Sequence, residues 1–249
     1  MSERGSGKKL SASVQVFEIL QSQISSGVWK PGERLPSESD LAEQYGVNRL
    51  TVRVALQKLN ALGVIETRSG SGTRVLEFDL ENYLRTASMF CNVNELSGSV
   101  AEFRNHIEIE CARLACERAD DADMAELERL ATQHRMVWMH SDSMEHELWQ
   151  RQLADADIAF HEQVVHMAHN KLYAYAFAVA RGPIYEYILS SVRKWTPEMV
   201  ASFRLDRRRD IHYSIFESIK SRDFTACQSN YAAMISSYTR AEWAQPVVG

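Results

Sequence analysis

The sequence has no apolar run long enough to cross a bilayer. Its longest candidate, Leu172 to Ala180, falls well short of the roughly 18 residues a spanning helix needs, which excludes a helical membrane anchor. No apolar stretch follows the polar, basic Met1–Lys9 segment, so no secretory leader is read there, and residues 1–9 are expected to be a disordered tail. Cysteine is scarce: Cys91, Cys111, Cys116 and Cys227 contain no CxxC pairing, which argues against a disulfide scaffold and suits free thiols in a reducing cytoplasm. With 5 prolines and 11 glycines, collagen-like and low-complexity chains are excluded. Neither HExxH nor GxSxG occurs, and no internal repeat of fixed period is found. At 249 residues and 45% hydrophobic the chain is long enough for one large or two small domains, each with its own core and no need of a metal or disulfide staple. The net charge of -5 taken alone leans away from nucleic acid as a partner.

That charge is unevenly distributed. Residues 1–77 hold ten Lys/Arg against eight Asp/Glu, and residues 78–249 hold eighteen against twenty-five. A change of sign between segments argues for separate domains with different partners. Hydrophobic periodicity changes at the same place. Between Val14 and Gly63 the spacing predicts three short helices, the first with Val14, Phe17, Leu20 and Ile24 on one face. Gly27 and the Pro31–Gly32 pair break it. Ser37 with Asp40 three residues on predicts a capping box for the second helix, which Gly46 ends. Asn48 is a good N-cap for the third, whose inner face carries Val52, Leu56 and Leu59. Val64–Arg68 and Thr73–Leu76 then read as two strands joined by the small tetrad Ser69 to Gly72. Beyond about residue 78 no strand is predicted. The remainder reads as a bundle of six or seven amphipathic helices, punctuated by Asp120, Asn170, Thr196–Pro197–Glu198 and Asp223. The fold class is therefore mainly α: a winged helix-turn-helix over 10–77, a linker with a first helix over 78–97, and an all-α bundle over 98–243.

Three helices and a hairpin form the plan of a winged helix, in which the third helix enters the major groove with its N-terminus leading. Its first turn offers Asn48, Arg49, Leu50, Thr51 and Arg53. Arginine reads guanine bidentately or clamps phosphate, and threonine meets a phosphate or a thymine methyl. At the wing tip Ser69 and Gly70, flanked by Arg68 and Arg74, let the backbone approach phosphates or the minor groove. Two isolated surface arginines are usually only solvated; the spacing of the whole motif and the wing weigh for DNA. Arg34 either positions the preceding turn or touches DNA itself.

The run Pro31 to Glu38, with Leu41, Ala42, Glu43, Gly46, Val47, Asn48, Arg49, Thr51, Val52, Arg53, Ala55, Leu56, Leu59, Gly63 and Gly70 to Thr73, closely resembles the GntR family of bacterial transcription regulators over about sixty residues. Family members often open the recognition helix with Ser-Arg-Thr-Pro-Val-Arg-Glu, where this chain has Asn48 to Val54, and many carry Arg where it has Ser39. Arg49 and Arg53 are retained, so the resemblance implies DNA recognition on an operator unlike the family's usual one.

Residues 98–240 resemble the effector-binding domain, of FCD type, found in the FadR branch of that family. The matching residues are Phe103, Arg104, Glu108, Ala112, Leu114 and Ala115; Asp157, Ile158, Phe160, His161 and Asn170; and His212, Ile215, Ile219 and Asp223. The resemblance implies a helical bundle that dimerises and encloses a pocket for a small organic acid, with Arg104, Glu108, Asp157, His161 and His212 lining it. Many members hold a divalent metal there through one Asp and three His. Asp157 and His161, four residues apart, point off one helix face, and a carboxylate with imidazoles suits zinc, nickel or manganese. The family's fourth ligand falls on Met234, a poor donor for zinc or manganese, with Asn230 and His166 as candidate substitutes. Three readings stay open: a metal at Asp157, His161 and His212, a metal-free polar pocket, or satisfied buried polar groups. Arg104 and Glu108 form either a structural ion pair or a carboxylate-binding arm. The Met234–Thr239 ending is similar to the subset of this branch responding to sugar acids such as galactonate.

The function expected is that of a cytoplasmic, homodimeric DNA-binding regulator, a repressor controlled by a small carboxylate or sugar acid. The competing expectation is a metal-dependent hydrolase using Asp157, His161 and His212. Tyr185, Tyr187 and Trp195 are expected in the core or an interface, and Arg193–Lys194 and the triplet Arg207–Arg209 on solvated faces.

Overall fold

The computed structural model describes residues 10–68, 70–91, 93–204 and 210–239; the 1–9 tail, Ser69 and the Arg207–Arg209 triplet lie outside them. The chain divides into two compact units, with the boundary between Tyr83 and Leu84.

The first unit holds α1 (Ala12–Ser25), α2 (Glu38–Tyr45) and α3 (Arg49–Ala61), then β1 (Ile65–Arg68) and β2 (Gly72–Val75). Its start signals act as predicted. The Ser37 hydroxyl accepts from the Asp40 backbone N–H while the Asp40 carboxylate accepts from that of Ser37. Two of the four donors orphaned at the α2 N-terminus are thereby satisfied. Gly46 closes α2 in the left-handed region, φ 64°, and its N–H returns to the last-turn carbonyls. Val52, Leu56 and Leu59 of α3 are buried with Leu20, Leu35 and Leu41. Each such side chain contributes about 1.5–3 kcal/mol through its removal from water. The inner face of α1 is rotated from the prediction: Val16 and Leu20 are buried, Phe17 and Ile24 pack at the margin, and Val14 is only half-buried. The hairpin is antiparallel, pairing Ile65 with Val75 and Arg68 with Gly72, so that Gly72 opens β2 instead of closing the turn, while Leu76 N–H still donates to the Val64 carbonyl at 2.9 Å. The other edge of β2 is covered by the loop before α2. Gly32 N–H donates to the Val75 carbonyl at 2.8 Å, and Leu35 N–H to that of Thr73 at 2.9 Å.

A short helix, α4 (Leu80–Ser88), contains the boundary. The second unit continues with α5 (Val93–Arg118), α6 (Asp121–Met139), α7 (His146–His166), α8 (Lys171–Val192), α9 (Pro197–Arg204), α10 (Ile211–Lys220) and α11 (Phe224–Thr239). The predicted punctuation again supplies caps. Asp120 forms a capping box with Asp123, Asn170 accepts from Leu172 N–H, and Asp223 from Ala226 N–H. Thr196 precedes Pro197, the first residue of α9, and its hydroxyl accepts from Met199 N–H. Helix α7 is the central element, packed against α5, α6 and α8, with Trp149, Phe160 and Val164 fully buried. Apolar side chains cluster on both sides of it: Trp149, Phe177 and Ile188 on one, Phe160, Phe216 and Tyr231 on the other. Tyr185, Tyr187 and Trp195 pack against the first cluster.

Candidate functional site

The exposed end of α3 is the first site. Asn48 caps the helix, its Oδ1 accepting from the Thr51 backbone N–H at 2.8 Å and from the Thr51 hydroxyl at 3.0 Å. Both polar side chains are thus tied to each other. Arg49 and Leu50 stand exposed beside them, Leu50 with 66% of its surface in water. A leucine so placed adds nothing to the core. Arg53, one turn further, is held by a residue the sequence reading did not single out: its Nε and Nη2 donate to both Glu38 oxygens at 2.7–3.2 Å. The Arg53 hydrogen bonds, outweighing a slight burial, hold the Glu38 carboxyl below the usual carboxylate range, and Arg49 adds to the effect. Arg34 sits over the wing: its guanidinium lies where a side chain on Gly72 would be, Nε 2.6 Å from that point. Gly72 also has φ 80°, a backbone conformation that strains any other residue, and a side chain there would also displace the Arg34 guanidinium. Gly70 is exposed at the hairpin turn, and Ser69 lies outside the described residues.

The second site is a buried polar cluster in the helical unit. Arg104 and Glu108 come from α5, Asp157 and His161 from α7, and His212 from α10, as the sequence placed them; all are nearly or wholly removed from solvent. Arg104 Nε donates to Glu108 Oε1 at 2.7 Å, Nη2 reaches Oε2 at 3.3 Å, and Nη2 lies 3.8 Å from Asp157 Oδ1. On the other side of Glu108, His161 Nδ1 is 3.0 Å from Oε2 and 3.3 Å from the Tyr231 hydroxyl. The far nitrogen of that ring, Nε2, faces Asp157 Oδ1 at 3.6 Å, and His212 Nε2 faces Asp157 Oδ2 at 3.2 Å. Burial alone would push both carboxyls up. The neighbouring Arg104 and His161 charges outweigh it at Glu108, and His212, His161 and Arg104 do so at Asp157, so both lie below the ordinary range. Burial lowers His161 despite Glu108, favouring the neutral ring.

Two members of this cluster were missed from sequence. His134 of α6 stacks on His212 with ring centroids 3.8 Å apart, and burial holds its pKa well down. Its signal was present: Leu127, Leu130, Ala131 and His134 form one buried helical stripe, so an imidazole stands where the period calls for an apolar residue. Tyr231, one turn before Met234 on α11, is the other. The two substitutes named for the missing ligand are elsewhere. The Asn230 amide donates to the Ser214 carbonyl and the Ser218 hydroxyl, and His166 is exposed at the end of α7. Asn230 is thus engaged away from the cluster.

Residues 12–75 match the family described as bacterial regulatory proteins, gntR family, and residues 99–236 match the FCD domain. The chain belongs to the GntR family. Among its relatives in that family, the galactonate operon transcriptional repressor of Escherichia coli is 26% identical over 91% of this chain and 94% of the repressor. The HTH-type transcriptional regulator LutR of Bacillus subtilis is 28% identical over 88% of this chain and 94% of LutR. A GntR structure from Streptococcus agalactiae shares the fold, with a TM-score of 0.59 at 23% identity, over 92% of this chain and 100% of that one. This GntR chain is a DNA-binding transcription regulator rather than an enzyme, which sets aside the hydrolase reading of Asp157, His161 and His212. No helix among the described residues is long and apolar enough to cross a membrane.

Proposed function

We propose that this regulator is a homodimeric repressor whose affinity for a palindromic operator is set by a small organic acid, a sugar acid, bound in the helical unit. The observation that carries the reading is the fully buried Arg104 guanidinium, set among two carboxylates and three imidazoles in the middle of an apolar bundle. So many polar groups are costly to bury, and ligand recognition gives a reason to keep them there. A sugar acid offers a carboxylate and a row of hydroxyls, which match a guanidinium and imidazoles. The relative named as galactonate operon repressor favours both the sign of regulation and the ligand class. Following the resemblance, Asp157, His161 and His212 would hold a divalent cation (zinc, nickel or manganese), which would supply positive charge for the acid's carboxylate.

At the DNA, Arg49 and Arg53 read base edges or phosphates, Asn48, Leu50 and Thr51 shape the contact, and Arg34, Ser69 and Gly70 carry the wing's share. A twofold dimer imposes twofold symmetry on its site. The acid acts by binding one conformation of the helical unit better and so shifting the DNA-competent population. Gel-shift titration on the chain's own upstream region, with and without a panel of sugar acids, is the test. Retarded palindromic fragments released by one acid are expected. Indifference to every fragment at low salt refutes the operator assignment; binding that no acid releases refutes the effector.

A further inference from the structure

We infer that His134 of α6 is a metal ligand, replacing the imidazole that Met234 does not supply, so that His134, Asp157, His161 and His212 hold one divalent cation. The inference deepens the effector reading above and rests on it only for what the metal is used for. The geometry stands independently. One donor atom each from His134, Asp157 and His212 lies within 4.8 Å of the others. Donors around a tetrahedral zinc with bonds of about 2.0 Å stand about 3.3 Å apart. Asp157 Oδ2 and His212 Nε2 are 3.2 Å apart; His161 Nε2 stands outside that group of three, 3.6 Å from the other Asp157 oxygen, so it joins the ion only by closing on it when the ion binds.

Three buried imidazole nitrogens are poorly used by the fold: His134 Nδ1 and His161 Nε2 have no hydrogen-bond partner, and His212 Nε2 meets only the Asp157 carboxylate, at 3.2 Å. A buried imidazole nitrogen so poorly used is costly, and three at one place need a common reason. His161 shows the arrangement typical of a ligating histidine. Its Nδ1 is engaged by Glu108 and Tyr231, which fixes the ring and leaves Nε2 aimed at Asp157. The fixed charges point the same way. Apart from the imidazoles the cluster holds one cation, Arg104, against the carboxyls of Glu108 and Asp157, which favours a metal ion over an organic anion. A divalent ion reverses that sign and makes the site attractive to a carboxylate.

The scaffold also holds α6 against α10 beside the two rings concerned. Arg135 donates to Asp210 at 2.6 Å and lies over the Tyr213 ring at 3.8 Å, one residue from His134 and flanking His212. Met234 is 2% exposed among the apolar residues of α10 and α11, the role of a core side chain rather than of a ligand. The substitution has thus moved one donor from α11 to α6 while keeping three imidazoles and one carboxylate.

The test is metal binding by the full chain, using Zn2+ or Co2+ alone after stripping with a chelator. Competition titration against a chromogenic chelator should give a single site per chain, and Co2+ should show the absorption of a low-coordinate nitrogen and oxygen site. His134→Ala and His134→Gln are each expected to weaken Zn2+ by at least about 100-fold and to change the Co2+ spectrum, with the helical circular dichroism retained. Met234→Leu should bind as the parent does. Wild-type affinity in His134→Gln, loss of affinity in Met234→Leu, or no metal uptake by the parent overturns the assignment. A chain that loads metal through His134 but ignores every organic acid refutes the effector reading alone. One that answers a sugar acid but takes up no metal refutes this inference alone.

Discussion

Replacing Arg104 with methionine in the metal-stripped protein removes the positive charge at the centre of the buried cluster and keeps most of its volume. The guanidinium is fully buried, bonds Glu108 at 2.7 and 3.3 Å, and lies 3.8 Å from Asp157. At an effective dielectric of about 20, a unit charge pair near 4 Å is worth about 4 kcal/mol. Desolvation offsets much of that in the intact pair, but removing one partner leaves the other buried and uncompensated, which costs about 3–5 kcal/mol. The cost depends on pH with a definite sign. In the parent, Glu108 and Asp157 titrate below their ordinary values, so their contribution is present above about pH 4.3 and is lost as pH falls through the lowered values. In the variant, Glu108 loses its main cation and its carboxyl moves up, so stability falls as pH rises above about 4.3. The difference between the two proteins is therefore largest at neutral pH and shrinks toward acid. Trp149 reports on this unit, being fully buried with its indole N–H on the Val137 carbonyl at 3.0 Å. Urea unfolding followed by fluorescence in a Trp29→Phe background measures it at pH 5 and pH 8. Adding Glu108→Gln should recover part of the loss, since the stranded charge goes with it. A loss below about 1 kcal/mol at neutral pH, or one that grows toward acid, refutes the reasoning.

Arg49→Ala should weaken specific operator binding by about 1–3 kcal/mol with the oligomeric state unchanged; equal affinity by fluorescence anisotropy excludes it from the interface. Gly72→Ala brings a methyl onto the Arg34 guanidinium at a φ of 80°, so the wing should rearrange and DNA affinity fall, while the unfolding of the helical unit stays as in the parent. Glu38→Gln releases Arg53 from its bidentate partner. Non-specific DNA binding should then strengthen and its slope against log salt steepen by up to about 1, and an unchanged slope shows that Arg53 does not meet phosphate.

Local rules carried the first unit and the helix starts. Ser37, Asn48, Asp120, Asn170 and Asp223 cap the helices the pattern assigned to them, because a cap is a contact over two or three residues and the sequence states both partners. Arg104 with Glu108, and Asp157 with His161, were legible for the same reason at four residues. What failed was reach. Glu38 meets Arg53 across fifteen residues and two helices, and no periodicity names that pair. His134 joins Asp157 and His212 from separate helices, whereas Asn230 and His166, the candidates read from sequence, lie close along the chain to Met234 and His161. Both are turned elsewhere, since the helical period that aims one side chain at the cluster aims its near neighbours away. The inner face of α1 erred by less, Val16 standing where Val14 was expected, because a stripe of four apolar residues tolerates rotation until packing against α3 decides it.

The two sites use charge in opposite ways, and this removes the apparent conflict between an acidic chain and a DNA-binding family. A net charge of -5 counts every ionised group alike, but DNA senses only those that face it. In the first unit the arginines of α3 and the wing are exposed, and Glu38 offsets the charge of Arg53. In the second, Arg104, Glu108 and Asp157 are hidden from solvent, and their charges act on one another and on whatever enters between them. The acidic excess of residues 78–249 thus says nothing against DNA; it belongs to a different unit. Under the proposed docking few exposed cations would face the DNA, so affinity is expected to rest on placed contacts more than on counterion release. Operator binding should accordingly fall with salt less steeply than in a strongly basic regulator.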